Sequence, residues 1–181
     1  MIGIKDSISF LKKIWRINKF KDSDGRIAAL LKAGLPLEEI KTAFFDSFIG
    51  EEIFEQNVAL NEGLALMLDL FIGAGGTAFS NANAYLGVGD SSTGEDPSQT
   101  GLQAATNKLY KAMDGSYPQR TAQTLEFRST FGENDANFDW NEFTVANGNS
   151  DSAVNLNRKV ADKGTKAQGE TWTLSLSVTA A

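Results

Sequence analysis

The change of hydrophobic period around Gly73-Ala74-Gly75-Gly76-Thr77 constrains this chain more than any other feature. Before it apolar residues recur at helical spacing, and after it they recur at every second position. With 181 residues, the chain is long enough to bury a core without covalent help. The expectation is an α+β fold, with a helical docking segment over residues 1–76 and an antiparallel β-sandwich-like module over 77–181.

In the first half, Ile4, Ile8, Leu11 and Trp15 fall at three- and four-residue spacing, as on an amphipathic helix with Lys12 and Arg16 among the cations of its other face. A break follows at Asp22-Ser23-Asp24-Gly25. Ile27 to Leu31 reads as a short helix ended by Gly34. Pro36 then opens a helix with Glu38 and Glu39 at the positive end of its dipole, a buried stripe of Leu37, Ile40, Phe44 and Phe48, and a stop at Gly50. Asn61 caps a further helix over Glu62 to Ile72, with Leu64, Leu68 and Phe71 along one side and Gly73 at its end.

In the second half, Leu125, Phe127 and Phe131 alternate with Glu126, Arg128 and Thr130, and Trp172, Leu174, Leu176 and Val178 repeat the alternation. Two strands with one dry and one wet face favour antiparallel pairing in a sandwich or small barrel. Tyr85 to Val88, Lys108 to Met113, Phe138 to Val145 and Val154 to Val160 are further strands. Phe138 and Trp140 lie on one parity and Phe143 and Val145 on the other, which predicts a β-bulge near Asn141 or Glu142.

The chain contains no cysteine and no histidine. That removes disulfides, thiol nucleophiles and every histidine-based acid, base or ligand. No catalytic residue, cofactor or metal is called for. The net charge of −6 and a pI near 4.7 give the body no general attraction for nucleic acid. The positive charge is gathered at the amino end, in Lys5, Lys12, Lys13, Arg16, Lys19 and Lys21. Such an arm has three readings: an anionic membrane surface, DNA, or a partner's groove. Trp15 with Ile4, Ile8 and Leu11 favours the partner, the alternative being packing on this chain's own later helices. No apolar run reaches the ~20 residues that span a bilayer, and the start lacks a secretory apolar core, so the protein is expected to stay in the cytoplasm where it is made.

Gly87 and Gly89, inside the strand Tyr85-Leu86-Gly87-Val88-Gly89, predict close approach of other groups rather than a phosphate cradle, because Asp90, Glu95 and Asp96 would repel an anion. Asp90 reads as a turn residue. Glu142, beside the core, is expected to pair with Arg128, Arg158 or backbone amides, since buried charges are paired; the sharper alternative joins it to Asp139 as a hydrolytic pair. Trp140 and Trp172 read as core rather than sugar-stacking platforms.

As an ordered series, these pieces resemble the tail-collar fibre attachment domains of tailed-bacteriophage virion proteins. The resemblance spans about residues 60 to 179. It runs from Asn61-Glu62-Gly63-Leu64 through Ala84 to Asp90, Asp96-Pro97-Ser98-Gln99-Thr100-Gly101-Leu102, Leu125 to Arg128, and Ala136 to Phe143, and closes on Leu156-Asn157-Arg158-Lys159 and the last strand. It implies a rigid, non-enzymatic β-module assembled in the host cytoplasm into a virion at the collar, tail or head. Its partners would be portal, connector, tail or major capsid proteins and further copies of itself; DNA contact would come only through the basic arm. A fibre protein would continue into a shaft, whereas this sequence ends at Ala181, so virion assembly is implied more strongly than host binding. A capsid decoration protein, or a carbohydrate or receptor reader using Tyr85, Tyr110 and the loop from Asp90 to Gln99, are the alternatives.

Overall fold

The computed structural model describes residues 10–180. It is an α+β fold in which two five-stranded antiparallel sheets face each other. In chain order the elements are β1 (Phe10–Lys21), α1 (Arg26–Lys32), α2 (Leu37–Ala43), a 3-10 turn (Phe45–Ser47), β2 (Phe48–Glu55), β3 (Val58–Ala59), α3 (Asn61–Ile72), β4 (Tyr85–Gly89), β5 (Lys108–Ala112), β6 (Gln119–Thr121), β7 (Thr124–Phe131), β8 (Glu142–Ala146), β9 (Asn157–Val160) and β10 (Glu170–Ala180). Sheet I has the order β2-β1-β10-β7-β6, and sheet II the order β3-β9-β8-β4-β5.

The amino-terminal helix is a correction. Residues 10–21 are a strand, hydrogen-bonded to β10 on one side and β2 on the other. Within it Trp15 and Ile17 alternate into the core, both with no exposed surface, and pairing on two edges outweighs the weak helical spacing. Trp15 is therefore unavailable as a docking anchor. Ile4 and Ile8 lie outside the described residues, and so does the side chain of Leu11. Lys12 and Arg16 are not one face of a helix. Arg16 instead meets Glu51 at 3.2 Å and Lys19 meets Glu52 at 2.5 Å, so the acidic strand β2 balances the basic strand beside it. The division at residue 76 is corrected with it, because sheet I takes β2 and β1 from before that point and sheet II takes β3.

The core between the sheets joins Trp15 and Ile17 of β1, Leu86 and Val88 of β4, Phe127 and Phe131 of β7, Phe143 and Val145 of β8, and Trp172, Leu174 and Leu176 of β10. Trp140, just before β8, fills its centre, with ring centroids 4.8 Å from Phe131 and 4.9 Å from Trp172 in edge-to-face contact. The change of parity that predicted a bulge is met by a break in the strand. Asp139 bridges Thr165, Trp140 and Asn141 leave the ladder, and β8 begins at Glu142. Crossing the break lets Trp140, Phe143 and Val145 enter one core.

A second small core lies on the outer side of sheet I, where α1 and α2 bring Ile27, Leu31 and Ile40 against Phe20, with Leu37, Phe44 and Phe48 around them. The helices start where expected. Phe48 and Gly50, however, belong to β2 rather than to the end of α2. The cap of α1 comes from outside the helix: the buried Asp22 carboxylate accepts from Ile27 N at 3.0 Å and Ala28 N at 2.8 Å, satisfying amides that have no partner within the helix. This layer also corrects the wet face of β7. Arg128 and Thr130 are buried under it, whereas Leu125 on the opposite parity is partly exposed.

Candidate functional site

Four stretches that lie far apart in sequence meet at Glu142, the first residue of β8. Its Oε2 accepts from Gln103 N at 2.9 Å and from Arg158 Nε at 2.8 Å, while Oε1 accepts from Ala104 N at 2.7 Å. Arg158 of β9 also brings Nη2 to 2.7 Å from Oε2, an approach of charges rather than an aligned hydrogen bond. Both side chains are wholly enclosed, at 0% exposure. The other end of the guanidinium is held as firmly: Nη1 donates to Thr93 O at 2.8 Å, Gly94 O at 3.3 Å and Gln99 Oε1 at 3.0 Å.

The segment clasped in this way is the loop of residues 90–107 between β4 and β5. Its two ends are tied by Asn107 Nδ2 donating to Asp90 Oδ2 at 2.8 Å. Its middle is tied by Val160 N donating to Glu95 Oε1 at 2.6 Å. Asp90, a turn residue at the mouth of the loop, also accepts from Asn141 Nδ2 through its carbonyl at 2.9 Å.

The glycines of β4 make room for this. A Cβ on Gly89 would lie 2.5 Å from Glu142 Oε1, and one on Gly87 would lie 2.7 Å from Thr144 Cγ2 and 2.9 Å from the Tyr110 ring. Such separations are closer than any real contact, so glycine is what allows Glu142 and Tyr110 to cross the strand. Tyr110 donates to Asp151 Oδ1 at 2.8 Å and accepts from Leu102 N at 3.1 Å, and burial pushes its hydroxyl well above the usual range. Lys108 pairs with the same Asp151.

Chemistry is constrained by this arrangement. Every oxygen of Glu142 is occupied and none meets solvent, whereas Asp139 lies at an exposed position bonded to Thr165. The two carboxylates therefore share no open cleft of the kind glycoside hydrolysis needs. Trp140 donates from Nε1 to Ala136 O at 3.0 Å and Trp172 from Nε1 to Glu170 Oε2 at 2.9 Å, and both are buried, so neither offers a face to a sugar. Tyr85 and Tyr110 are half-buried. Among the described residues no cluster of three metal-ligating side chains occurs, and no helix is long and apolar enough to cross a membrane.

Three further features carried no signal strong enough to be read from sequence. On the outer side of sheet I, Asp114 accepts from Arg128 Nε at 2.9 Å, from Thr130 N at 2.9 Å and from Thr130 Oγ1 at 2.8 Å. Arg128 also donates to Leu31 O at 3.2 Å, tying α1 to the sheet. Burial pushes the Asp114 carboxyl up, while Thr130 and Arg128 pull it back. Lys166 is the second: it is enclosed and donates to Gly132 O and Asn137 Oδ1, both at 2.8 Å, and burial brings its amine down to about 8. The third is α3. The apolar side read from its spacing, Leu64, Leu68 and Phe71, is exposed, and Gly63 and Leu66 face the body.

No protein-family model, curated protein or solved structure matches this chain.

Proposed function

We propose that the protein is a non-enzymatic structural component of a tailed-phage virion, an anchoring or attachment module at the collar, tail or head. Assembly would take place in the host cytoplasm, against other virion proteins and further copies of the same chain. One observation carries the reading. The dispersed pieces of the collar-domain resemblance, Gly87 to Asp90, Gln99 to Leu102, Trp140 to Phe143 and Asn157 to Lys159, converge in space on the enclosed Glu142–Arg158 pair and the loop it clasps.

Residues used this way build a rigid module. A buried ion pair whose two members are each also hydrogen-bonded to the clasped loop resists deformation, and breaking it by removing one partner costs about 3 to 5 kcal/mol. A catalytic carboxylate needs the opposite, an accessible oxygen and a tuned proton. A part that transmits load between larger assemblies gains from the first arrangement and has no use for the second.

The test is direct. Particles of the phage that encodes this chain are purified, split into heads and tails, and searched for the protein by mass spectrometry. Recovery at constant stoichiometry with one fraction is expected. Absence from both, with the protein present in the infected cell, overturns the reading. The capsid decoration alternative predicts recovery with heads at a copy number near that of the shell protein.

A further inference from the structure

We propose that α3 is the contact between two copies of this chain, packed antiparallel to its own symmetry mate with Leu68 on the two-fold axis. Leu64, Leu68, Phe71 and Ile72 lie at i, i+4, i+7 and i+8 on the side of the helix away from the body, at 38%, 67%, 91% and 74% exposure. Such spacing is that of a helix face made to be covered. Among the described residues the body does not cover it, since α3 is fastened through the other side, by Gly63 and Leu66, and by Asn155 N donating to Glu62 Oε1 at 2.8 Å.

Area favours a second copy as the occupant. The four side chains expose on the order of 500 Å² of apolar surface, which is the apolar share of a standard interface burying about 800 Å² on each partner. A groove of about 170 Å³ continues the face beside the helix, lined by Leu64, Met67, Phe79, Pro118 and Leu125. The stripe is also complementary to itself. Reversing the helix about Leu68 sets Leu64 against Ile72 and the bulky Phe71 against the small, exposed Ala65. The contact is then closed and isologous, the same patch serving on both copies.

The contact extends the assembly reading by naming a face, and its failure would leave that reading standing, because particle fractionation does not depend on it. Light scattering after gel filtration of the full chain is expected to give a dimer, and Leu68→Glu or Phe71→Glu to give a monomer with an unchanged circular-dichroism spectrum. The chain has no cysteine, so Leu68→Cys supplies a single thiol; mild oxidation should link it to its own copy at least tenfold faster than Ser92→Cys, an exposed position outside the helix. Three results overturn the proposal: a monomeric wild type, which leaves the face to a different protein; an oligomer that survives Leu68→Glu; or Leu68→Cys chains that link no faster than the Ser92→Cys control.

Discussion

Lys166 shows how a single enclosed group makes stability depend on pH. Its amine donates to two neutral oxygens and burial brings it to about 8, against 10.5 in the unfolded chain. Between those values the unfolded chain holds a proton that the folded chain has shed, so stability rises with pH across the window and is lower, by the full amount, below it. Tyr110 acts in the opposite sense above pH 10, where the unfolded hydroxyl ionises and the buried one does not. Urea midpoints are therefore expected to climb from pH 8 to about 10 and then flatten or fall. Lys166→Met should remove the climb; a climb of the same size in that variant would place its origin elsewhere. Glu142 was legible in sequence as a carboxylate beside a break in strand parity. Its partner was legible only as one of several cations, because the choice between Arg128 and Arg158 depends on which side of sheet I the helices cover.

At the scale of elements, Gly63 in α3 decides how the helix sits. A Cβ there would come within 2.6 Å of Leu156 Cα and 2.7 Å of Asn155 O. Alanine gains about 1 kcal/mol of helix propensity over glycine. Backbone atoms do not move aside as a flexible side chain does, and overpacking costs about 1 to 3 kcal/mol, to which the displaced helix adds the loss of Leu66 burial and the Glu62 bond. Gly63→Ala should lower the unfolding free energy by about 2 kcal/mol net, measured by denaturant titration, and a stabilised variant would show that α3 is free to shift. The stop of α3 was readable from Gly73, which takes the left-handed cap position, but Asn61 is the first residue of the helix and not its cap, since Leu60 holds that position with no side-chain bond; the facing of the helix was not readable at all. A helix apolar on two sides gives the same periodicity whichever side the body takes. Residues 10–21 were misread for a related reason. Trp15 to Asn18 alternates as a strand does, yet the spacing from Ile4 to Trp15 also fits a helix, and the arbiter is β10, some 150 residues away.

The molecule as a whole is one sandwich rather than a docking arm joined to a module. β1 is an interior strand of sheet I, between β2 and β10, so residues 10–21 and 170–180 must come together to form the core. A fragment of residues 77–181 therefore lacks β1, β2 and β3 and should remain unfolded by circular dichroism and amide exchange. An independent β-module would fold in that fragment. Across this structure Glu142 and Arg158 join sheet II to its longest clasped loop, and their holding role is tested most directly by urea unfolding of Glu142→Leu, Arg158→Leu and the double variant. Each single change should remove about 3 to 5 kcal/mol by leaving an enclosed charge alone, a large share of the roughly 5 to 15 kcal/mol that holds a domain of this kind. The double change should cost less than the two singles added together. Single variants as stable as the wild type, or losses that simply add, would contradict it.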